Sequence, residues 1–335
     1  LGLREHLENT QLHKFGLRLF FGSGGHGDLS QADELGASSV LPAKSYQVDR
    51  GRLEGDLATI LQDRGVAVLD GCVVRNAEIS RNGASHHLDV TTADDAARIH
   101  CRWVVDASSR AAVIKRGMDM NRSCSHQVSS AWFRLDRRIA VDDWSSSADW
   151  QDRCDQPRFY STNHLMGSGY WVWIIPLVGD RTSIGLVADP DMHPLSSYSN
   201  FEKFTQWLRE HQPMLAENIA DAGNSLMDFK FCKNLAQDSD KVWSGQRWAL
   251  TGEAGLFTDP FYSPGSDFIG ISNTFVADLI RRDGLGESSL ARSEIYERIY
   301  RSFFESTMSL YERQYLGFGD TRLMTVKTTW DYAYY

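Results

Sequence analysis

The sequence predicts an α/β fold with an inserted lobe of α+β character, and three observations support this class. Helical and strand-like hydrophobic patterns alternate along the chain, without an internal repeat or a low-complexity segment. Apolar residues make up 42% of the composition, which is enough to form a real core. At about 150 residues per domain, the 335 residues predict about two domains or one domain with an insertion.

The first half of the chain reads as short strands around one helix. Residues 50–64 predict a helix because apolar residues recur at helical spacing before a glycine, namely Leu53, Leu57, Ile60, Leu61 and Gly65. The strands expected here are residues 15–21, 66–69, 71–79, 86–93, 99–106 and 128–137. Asn82-Gly83 predicts a hairpin turn between residues 71–79 and 86–93.

The second half alternates strands with longer helices. Residues 157–189 are rich in strands, with a turn expected at Gly179-Asp180, and residues 225–234 and 246–251 are further predicted strands. The expected helices are residues 199–219, a segment near 266–282, and a long pattern over 289–316. We expect the tyrosines and phenylalanines of this last pattern to pack on the protein's own core.

Composition excludes several classes of function. The net charge of −9 argues against nucleic-acid binding, which needs a basic face. No apolar run approaches the roughly 18 residues of a membrane span. Five scattered cysteines favour a reducing, cytoplasmic location over a disulfide framework. The ten histidines show no metal-ligand spacing, so we expect no metal site.

Three segments are candidates for binding or chemistry. Gly22–Gly27 has the spacing G-x-G-x-x-G after a strand, but the residues that follow do not read as a helix, which favours a surface loop over a phosphate site. Trp171 and Trp173 lie on one side of a strand that Pro176 ends. Such a pair either packs a core or serves a site, and a plain core seldom needs two neighbouring indoles.

The third segment is a compact loop that feeds a helix. Gly252-Glu253-Ala254 is followed by Asp259-Pro260-Phe261-Tyr262-Ser263-Pro264-Gly265-Ser266. Backbone N–H groups at Gly265 and Ser266 would open a helix and can receive a negative group. The alternative is an ordinary loop with two prolines.

These segments together resemble the flavin-dependent halogenases, a branch of the FAD monooxygenase superfamily with the hydroxybenzoate-hydroxylase-like fold. The resemblance rests on W-x-W-x-I-P at 171–176, on G-(D/E)-A at 252–254 and on D-P-F-x-S-x-G at 259–265. The order of the pieces also matches over roughly residues 10–285. The resemblance implies an FAD/NAD(P)-binding fold, with FAD bound by residues 1–118 and 240–285, an inserted substrate-binding lobe at 119–239, and a C-terminal helical segment at 286–335.

Related chains begin with a strand, a G-x-G-x-x-G loop and a helix. The chain opens at Leu1 without a Met. The resemblance therefore suggests that this first unit precedes Leu1 and that related chains continue past Tyr335. If nothing precedes Leu1, tight FAD binding becomes doubtful.

The resemblance implies FADH2- and O2-dependent halogenation of an electron-rich aromatic of phenol or pyrrole type, through a flavin hydroperoxide and hypohalous acid. FAD would be reduced by a separate flavin reductase, chloride or bromide would be the halide, and the substrate would be free or tethered to a carrier protein. The implied catalytic residues are Lys14, Trp171, Trp173 and Tyr262, with Lys44 as a weaker competitor of Lys14. The implied cofactor contacts are Arg50, Asp106, Gly252, Glu253, Ala254, Asp259, Pro260, Gly265 and Ser266. The implied halide contacts are Ser263, Pro264 and Gly265.

Three departures keep other functions open. Glu253 replaces the usual Asp, Tyr262 replaces the acidic residue of tryptophan-type enzymes, and Pro264 removes an N–H donor beside the halide. One alternative is a flavin-dependent aromatic monooxygenase or dehydrogenase that uses no halide. Another is a non-catalytic flavoprotein homologue that acts as a binding protein.

Overall fold

The computed structural model describes residues 3–25, 27–40, 42–81 and 85–334. The chain divides into two compact units. Unit 1 comprises Leu1–Gly65, Val128–Lys233 and Arg313–Tyr335, and unit 2 comprises Val66–Gln127 and Asn234–Glu312. The sequence-based division kept residues 1–118 together, whereas residues 1–65 and 66–118 fall into different units. Which segments bind cofactor and which bind substrate stays a prediction.

Helices and strands are numbered in chain order. The helices are α1 (Arg4–Thr10), α2 (Arg50–Asp63), α3 (Val113–Gly117), α4 (Ala148–Gln151), α5 (Phe201–His211), α6 (Pro213–Asn218), α7 (Gly265–Gly284), α8 (Leu290–Ser309) and α9 (Thr321–Tyr334). The strands are β1 (Leu12–His13), β2 (Gly16–Phe21), β3 (Asp33–Gly36), β4 (Tyr46–Gln47), β5 (Val73–Glu78), β6 (His86–Thr91), β7 (Ala96–Cys101), β8 (Val104–Asp106), β9 (Asn121–Arg122), β10 (Ser129–Leu135), β11 (Ser161–Gly167), β12 (Tyr170–Leu177), β13 (Arg181–Ala188), β14 (Leu226–Cys232), β15 (Asp238–Ser239), β16 (Trp243–Ser244) and β17 (Trp248–Leu250).

Unit 1 is built on a seven-stranded sheet in the order β14-β10-β13-β12-β11-β2-β3. Its pairs are antiparallel except β2 and β11, which run parallel. One face of the sheet forms a buried core that includes Phe133, Val172, Ile174, Phe204 and Leu208. The last two residues come from α5, whose apolar positions lie on one side of the helix and which begins where the Asn200 side chain accepts a hydrogen bond from the Lys203 N–H.

Unit 2 contains small sheets with a core of their own. The three-stranded sheets are β5-β6-β7 and β16-β17-β8, and β17 runs parallel to β8. Side chains of α7 and α8 complete the core, which includes Trp243, Leu250, Val276, Leu279 and Tyr300. The parallel pair matters for function because it brings the carboxyl ends of two strands, and the loops that follow them, to one edge.

Most predicted elements are found, with four corrections. Pro176 does not end its strand, because β12 includes Pro176 and continues to Leu177. Residues 66–69 form no strand, and Val66 and Leu69 are exposed instead of paired in a sheet. The segment 99–106 is two strands interrupted at Arg102-Trp103. The helix at 199–219 breaks between His211 and Pro213, because proline lacks the N–H that would continue α5.

The predicted hairpin is confirmed as an antiparallel pairing of β5 with β6. Its expected turn residues, Asn82-Gly83, lie outside the described residues. The Gly179-Asp180 turn is confirmed by left-handed φ values of 80° and 54°. Across the described ranges, no helix is both long and apolar enough to cross a membrane.

We predict that Gly185→Ala destabilises the protein by about 1–3 kcal/mol, the usual effect of overpacking. An added Cβ would lie 2.1 Å from the Trp173 ring, so the indole would have to move. Gly223→Ala is the matched control in the same unit, because nothing lies within 4 Å of its Cβ position. Urea unfolding measures both changes, and equal midpoints for the two variants would contradict the packing.

Candidate functional site: a tryptophan face and a strained loop

The two tryptophans of the W-x-W segment lie on the sheet face opposite the core of unit 1. Along β12, Val172 and Ile174 belong to that core, whereas Trp171 and Trp173 do not. Successive side chains of a strand point to opposite faces, so this alternation puts both indoles on the reverse face. The indoles thus lie outside the apolar core of unit 1, although Trp171 is itself only 2% exposed and Trp173 is partly buried.

Each indole on this face is fixed by a hydrogen bond. The Trp171 Nε1–H donates to the Tyr315 hydroxyl over 2.9 Å, and the Trp173 Nε1–H donates to Ser183 Oγ over 3.1 Å. The ring centroids of the two tryptophans are 5.7 Å apart. Gly185 stands opposite Trp173 on β13 and leaves room for its ring. The pair is thus a rigid aromatic surface.

Lys14 and His164 lie in the same unit. Lys14 is half-buried between β1 and β2, and burial lowers the pKa of its ammonium group. His164 is paired with Trp173 across β11 and β12, and its ring lies 5.0 Å from the Trp171 ring. Burial and, to a smaller extent, the charge of Lys14 together lower the pKa of His164 to about 3. His164 is therefore a neutral imidazole beside a partly desolvated lysine.

Two other cationic candidates have surface environments. Lys44 pairs with Glu8 over 2.9 Å, and its side chain is 63% exposed. Arg50 is the first residue of α2 and pairs with Glu54 over 2.8 Å, again in solvent. Both contacts are ordinary surface ion pairs, which contribute little energy. Between the two lysines, burial favours Lys14 for chemistry.

The sequence predicted that no α-helix directly follows the glycine-rich loop after β2, and among the described residues none does. His26 of this loop lies outside the described residues. Gly22 and Gly24 instead line a cleft of about 600 Å³, together with Met166, Tyr170, His211 and Leu316. This volume suits a small organic molecule. Met166 is paired with Trp171, so the cleft adjoins the tryptophan face.

In unit 2, Asp106 ends β8 and shapes the loop that follows. Its Oδ1 accepts hydrogen bonds from the Ser108 N–H and hydroxyl, at 2.9 and 2.5 Å. Its Oδ2 accepts the Ile114 N–H over 2.7 Å, at the start of α3. The carboxylate is thus engaged locally, and a contact of Asp106 with FAD stays a prediction.

The Gly252-Glu253-Ala254 segment follows β17 and lies beside the loop after β8. The Thr251 N–H donates to the Asp106 carbonyl over 2.9 Å, and Gly252 takes the left-handed φ of 57° that glycine allows. The Glu253 carboxylate accepts a hydrogen bond from the Ser109 hydroxyl over 2.8 Å and lies 3.8 Å from the Arg110 guanidinium. About a third of the side chain is exposed, whereas Ala254 is buried.

The loop 259–266 has an unusual backbone. Tyr262 and Ser263 are consecutive non-glycine residues with φ values of 66° and 60°. Such residues cost of order 1–3 kcal/mol each and concentrate at functional sites. Asp259 is fully buried, and Pro260 precedes the strained pair. The loop ends at the amino terminus of α7, where Gly265 and Ser266 stand in the first turn and Pro264 contributes no N–H.

The predicted site residues discussed above therefore form two groups, one in each unit. Unit 1 holds the tryptophans with Lys14, and unit 2 holds the segments around Asp106, Glu253 and Asp259. Sequence reasoning missed His164, Ser109 and the partner of Asp259, His126, because their roles depend on strand register and loop packing. Within the described part of the chain, no group of three or more His, Cys, Asp or Glu residues is placed to hold a metal ion.

Comparison with known proteins decides the family. The sequence profile described as tryptophan halogenase matches residues 29–315. The chain belongs to the tryptophan halogenase family. This assignment confirms the halogenase resemblance inferred from the W-x-W and D-P-F motifs.

Two proteins similar to this chain come from Dictyostelium discoideum and Pseudomonas fluorescens. A flavin-dependent halogenase, chlA, of Dictyostelium discoideum is 26% identical over 71% of this chain and 42% of its own length. The 1H-pyrrole-2-carbonyl-(peptidyl-carrier protein) chlorinase of Pseudomonas fluorescens is 23% identical over 66% of this chain and 47% of its own length. The chain thus spans less than half the length of these two relatives.

A solved halogenase structure shares the fold of this chain. Halogenase PltM in complex with phloroglucinol and FAD is 14% identical to it, with a TM-score of 0.77. The match covers 97% of this chain and 65% of PltM. The predicted fold class, that of the flavin-dependent halogenases, is confirmed.

The buried imidazole of His164 predicts a pH-dependent stability. Because its pKa is about 3 in the folded protein and about 6.5 when unfolded, the unfolded chain binds the extra proton as the pH falls below about 6.5. Between pH 7 and pH 5, this group alone lowers the free energy of unfolding by about 2 kcal/mol. In urea titrations the wild type should lose that much more stability than His164→Gln. Equal losses in the two proteins would show that His164 does not contribute.

Proposed function

We propose that this chain carries the machinery for FAD-dependent halogenation of an electron-rich aromatic ring. The observation that carries the proposal is the tryptophan face, where Trp171 and Trp173 are fixed on the side of the sheet away from the core. The motif that places this pair is fairly specific to halogenases within the flavoenzyme superfamily. The presence of the half-buried Lys14 and the neutral His164 in the same unit supports the proposal.

The residues of unit 2 fit a flavin in part. The loops after β8 and β17 meet at one edge, where Gly252 lets backbone approach a ligand, Ala254 adds no bulk, and the partly exposed Glu253 carboxylate can accept a hydroxyl hydrogen bond. We assign the cofactor contacts to this edge and to the loop from Asp259 to Ser266. When bound and reduced, FAD supplies the reaction with O2 that oxidises halide.

Lys14 is the residue that we assign to halogen transfer. Burial lowers the pKa of its side chain, so a larger share of the amine is neutral and nucleophilic at a given pH than for a surface lysine. In this proposal the neutral amine of Lys14 takes the electrophilic halogen from hypohalous acid with release of water, and passes it to the ring, whose displaced proton returns to the amine. In the same proposal the tryptophans suppress direct oxygenation of the ring.

The chemistry of the site and the names of the similar proteins suggest the halide contacts, the substrate and the partners. Backbone N–H groups at the start of α7, with Ser263 and Gly265, are the proposed contacts for chloride or bromide. The cleft beside Met166 and Leu316 has room for a single phenol or pyrrole ring. Relatives named for carrier-bound pyrrole suggest a carrier-tethered substrate as one form. A separate flavin reductase would supply FADH2.

A second candidate, an aromatic monooxygenase without halide use, is favoured by one observation. Pro264 stands at the start of α7, where it supplies no N–H group to an anion. Glu253 also replaces the usual Asp of the Gly-Asp-Ala segment, and Tyr262 replaces the acidic residue of tryptophan-type enzymes. This candidate predicts an oxygenated product whose yield does not depend on halide.

The proposal predicts that Lys14→Ala lowers halogenation by about a hundredfold or more, a usual effect of removing a catalytic side chain. Oxidation of FADH2 by O2 should continue in the variant, with peroxide as the product. Lys44→Ala is the matched control, because Lys44 is an exposed lysine in a surface pair.

The assay is aerobic turnover with FADH2, bromide and a phenol or pyrrole, followed by quantification of brominated product and peroxide. Full halogenation by Lys14→Ala would remove this residue from the site. Equal loss in both lysine variants would point to a general effect on the fold instead of a catalytic role.

A further inference from the structure

A buried histidine–aspartate contact supports the strained loop of unit 2. Asp259 is 0% exposed and His126 is 6% exposed, and the distance from His126 Nε2 to Asp259 Oδ2 is 2.7 Å. The motifs found in the sequence do not include His126, which lies between β9 and β10. A carboxylate this deep in the protein needs such a partner, because a buried unpaired charge is costly.

The second oxygen of the same carboxylate holds the loop backbone. Asp259 Oδ1 accepts the Phe261 N–H over 2.8 Å, immediately before the left-handed pair Tyr262 and Ser263. The carbonyl of Phe261 accepts a hydrogen bond from the Tyr311 hydroxyl over 2.9 Å. The backbone N–H and C=O groups of Phe261 are thus both hydrogen-bonded to side chains of the same unit.

His126 and Tyr311 also contact each other, so the supports form one connected network. Their rings are stacked with centroids 6.3 Å apart, and the Tyr311 ring lies 6.4 Å from that of Tyr262. Strained φ values persist only where the surroundings over-determine them. This network provides that constraint on the side of the loop that faces the interior of unit 2.

We propose that His126 and Tyr311 are positioning residues that hold the loop Asp259–Gly265 in the conformation in which it receives flavin and halide. The inference rests on the proposed function of this loop. His126 acts through Asp259, and Tyr311 acts through the Phe261 carbonyl, so neither needs to touch the ligands. Loss of the network should release the strain at Tyr262 and Ser263 and misplace the N–H groups at the start of α7.

The first test uses the protein without flavin. His126→Phe removes the partner of Asp259, whereas His126→Gln keeps an N–H donor at that position. Hydrogen exchange of the peptide covering residues 257–268 should become about tenfold or more faster in His126→Phe, as expected for the loss of a charged hydrogen bond, and should be largely restored in His126→Gln. Tyr311→Phe should accelerate exchange in the same peptide.

His86→Gln is the matched control. His86 is 1% exposed in the same unit and bonds to the Ser80 N–H and the Arg247 carbonyl, away from the loop. The control should leave exchange of the loop peptide unchanged, even if it lowers the melting temperature. Unchanged exchange in His126→Phe, or equal acceleration in His86→Gln, would overturn the proposal.

The second test separates this inference from the proposed function. In the flavin-loaded protein, His126→Phe should raise the KM for bromide by about tenfold or more and weaken the change that bromide causes in the flavin spectrum, with a smaller effect on kcat. If the wild type binds no flavin and halogenates nothing, the proposed function fails, and the exchange test still decides whether the network shapes the loop. If the wild type halogenates and His126→Phe has the same bromide KM, only the positioning role fails.

Discussion

The alternation of side chains along β12 is the constraint on which the functional interpretation of unit 1 depends. Val172 and Ile174 enter the apolar core, so Trp171 and Trp173 must face the other way. A slip of one residue would exchange the two sets and place both indoles in the apolar core formed on the other face. The register with β13 prevents this, because Gly185 is the residue opposite Trp173 and leaves the space that the indole fills.

Strand register also determines which side chains lie beside the two tryptophans. His164 reaches the reverse face because it is paired with Trp173 on one side and with Leu19 of β2 on the other. The parallel pairing of β2 with β11 also anchors the segment that begins with Lys14. Long-range strand pairing therefore creates an environment that no local sequence pattern describes. Burial lowers the pKa of Lys14, and burial with the nearby charge of Lys14 lowers the pKa of His164, which keeps the imidazole neutral.

In unit 2, two buried aspartates shape loops. Asp106 and Asp259 are both buried aspartates that end a strand or open a loop, and both are engaged by neighbouring hydrogen-bond donors. Glu253 differs, because its carboxylate is partly exposed and has only a hydroxyl and a distant guanidinium beside it. Fully engaged carboxylates stabilise geometry, whereas a partly exposed carboxylate can still accept a hydrogen bond from a ligand.

The sequence predicted the elements that have strong local signals. Helix α2, the Gly179-Asp180 turn and the strands around W-x-W were all readable from spacing and turn chemistry. Prediction failed where the tertiary environment decides whether a segment forms a strand. Residues 66–69 are an apolar run, but in the described structure they pair with no strand. His126 and His164 were beyond sequence reasoning for a related reason. A histidine acquires its role from the partner that the fold brings to it, 133 positions away for His126 and Asp259.

The mass spectrum of the product formed from FADH2, O2, bromide and an electron-rich phenol or pyrrole tests the central claim most directly. We predict a product that carries the bromine isotope doublet and whose yield rises with bromide concentration. A product that contains added oxygen but no halogen at any bromide concentration would contradict the account.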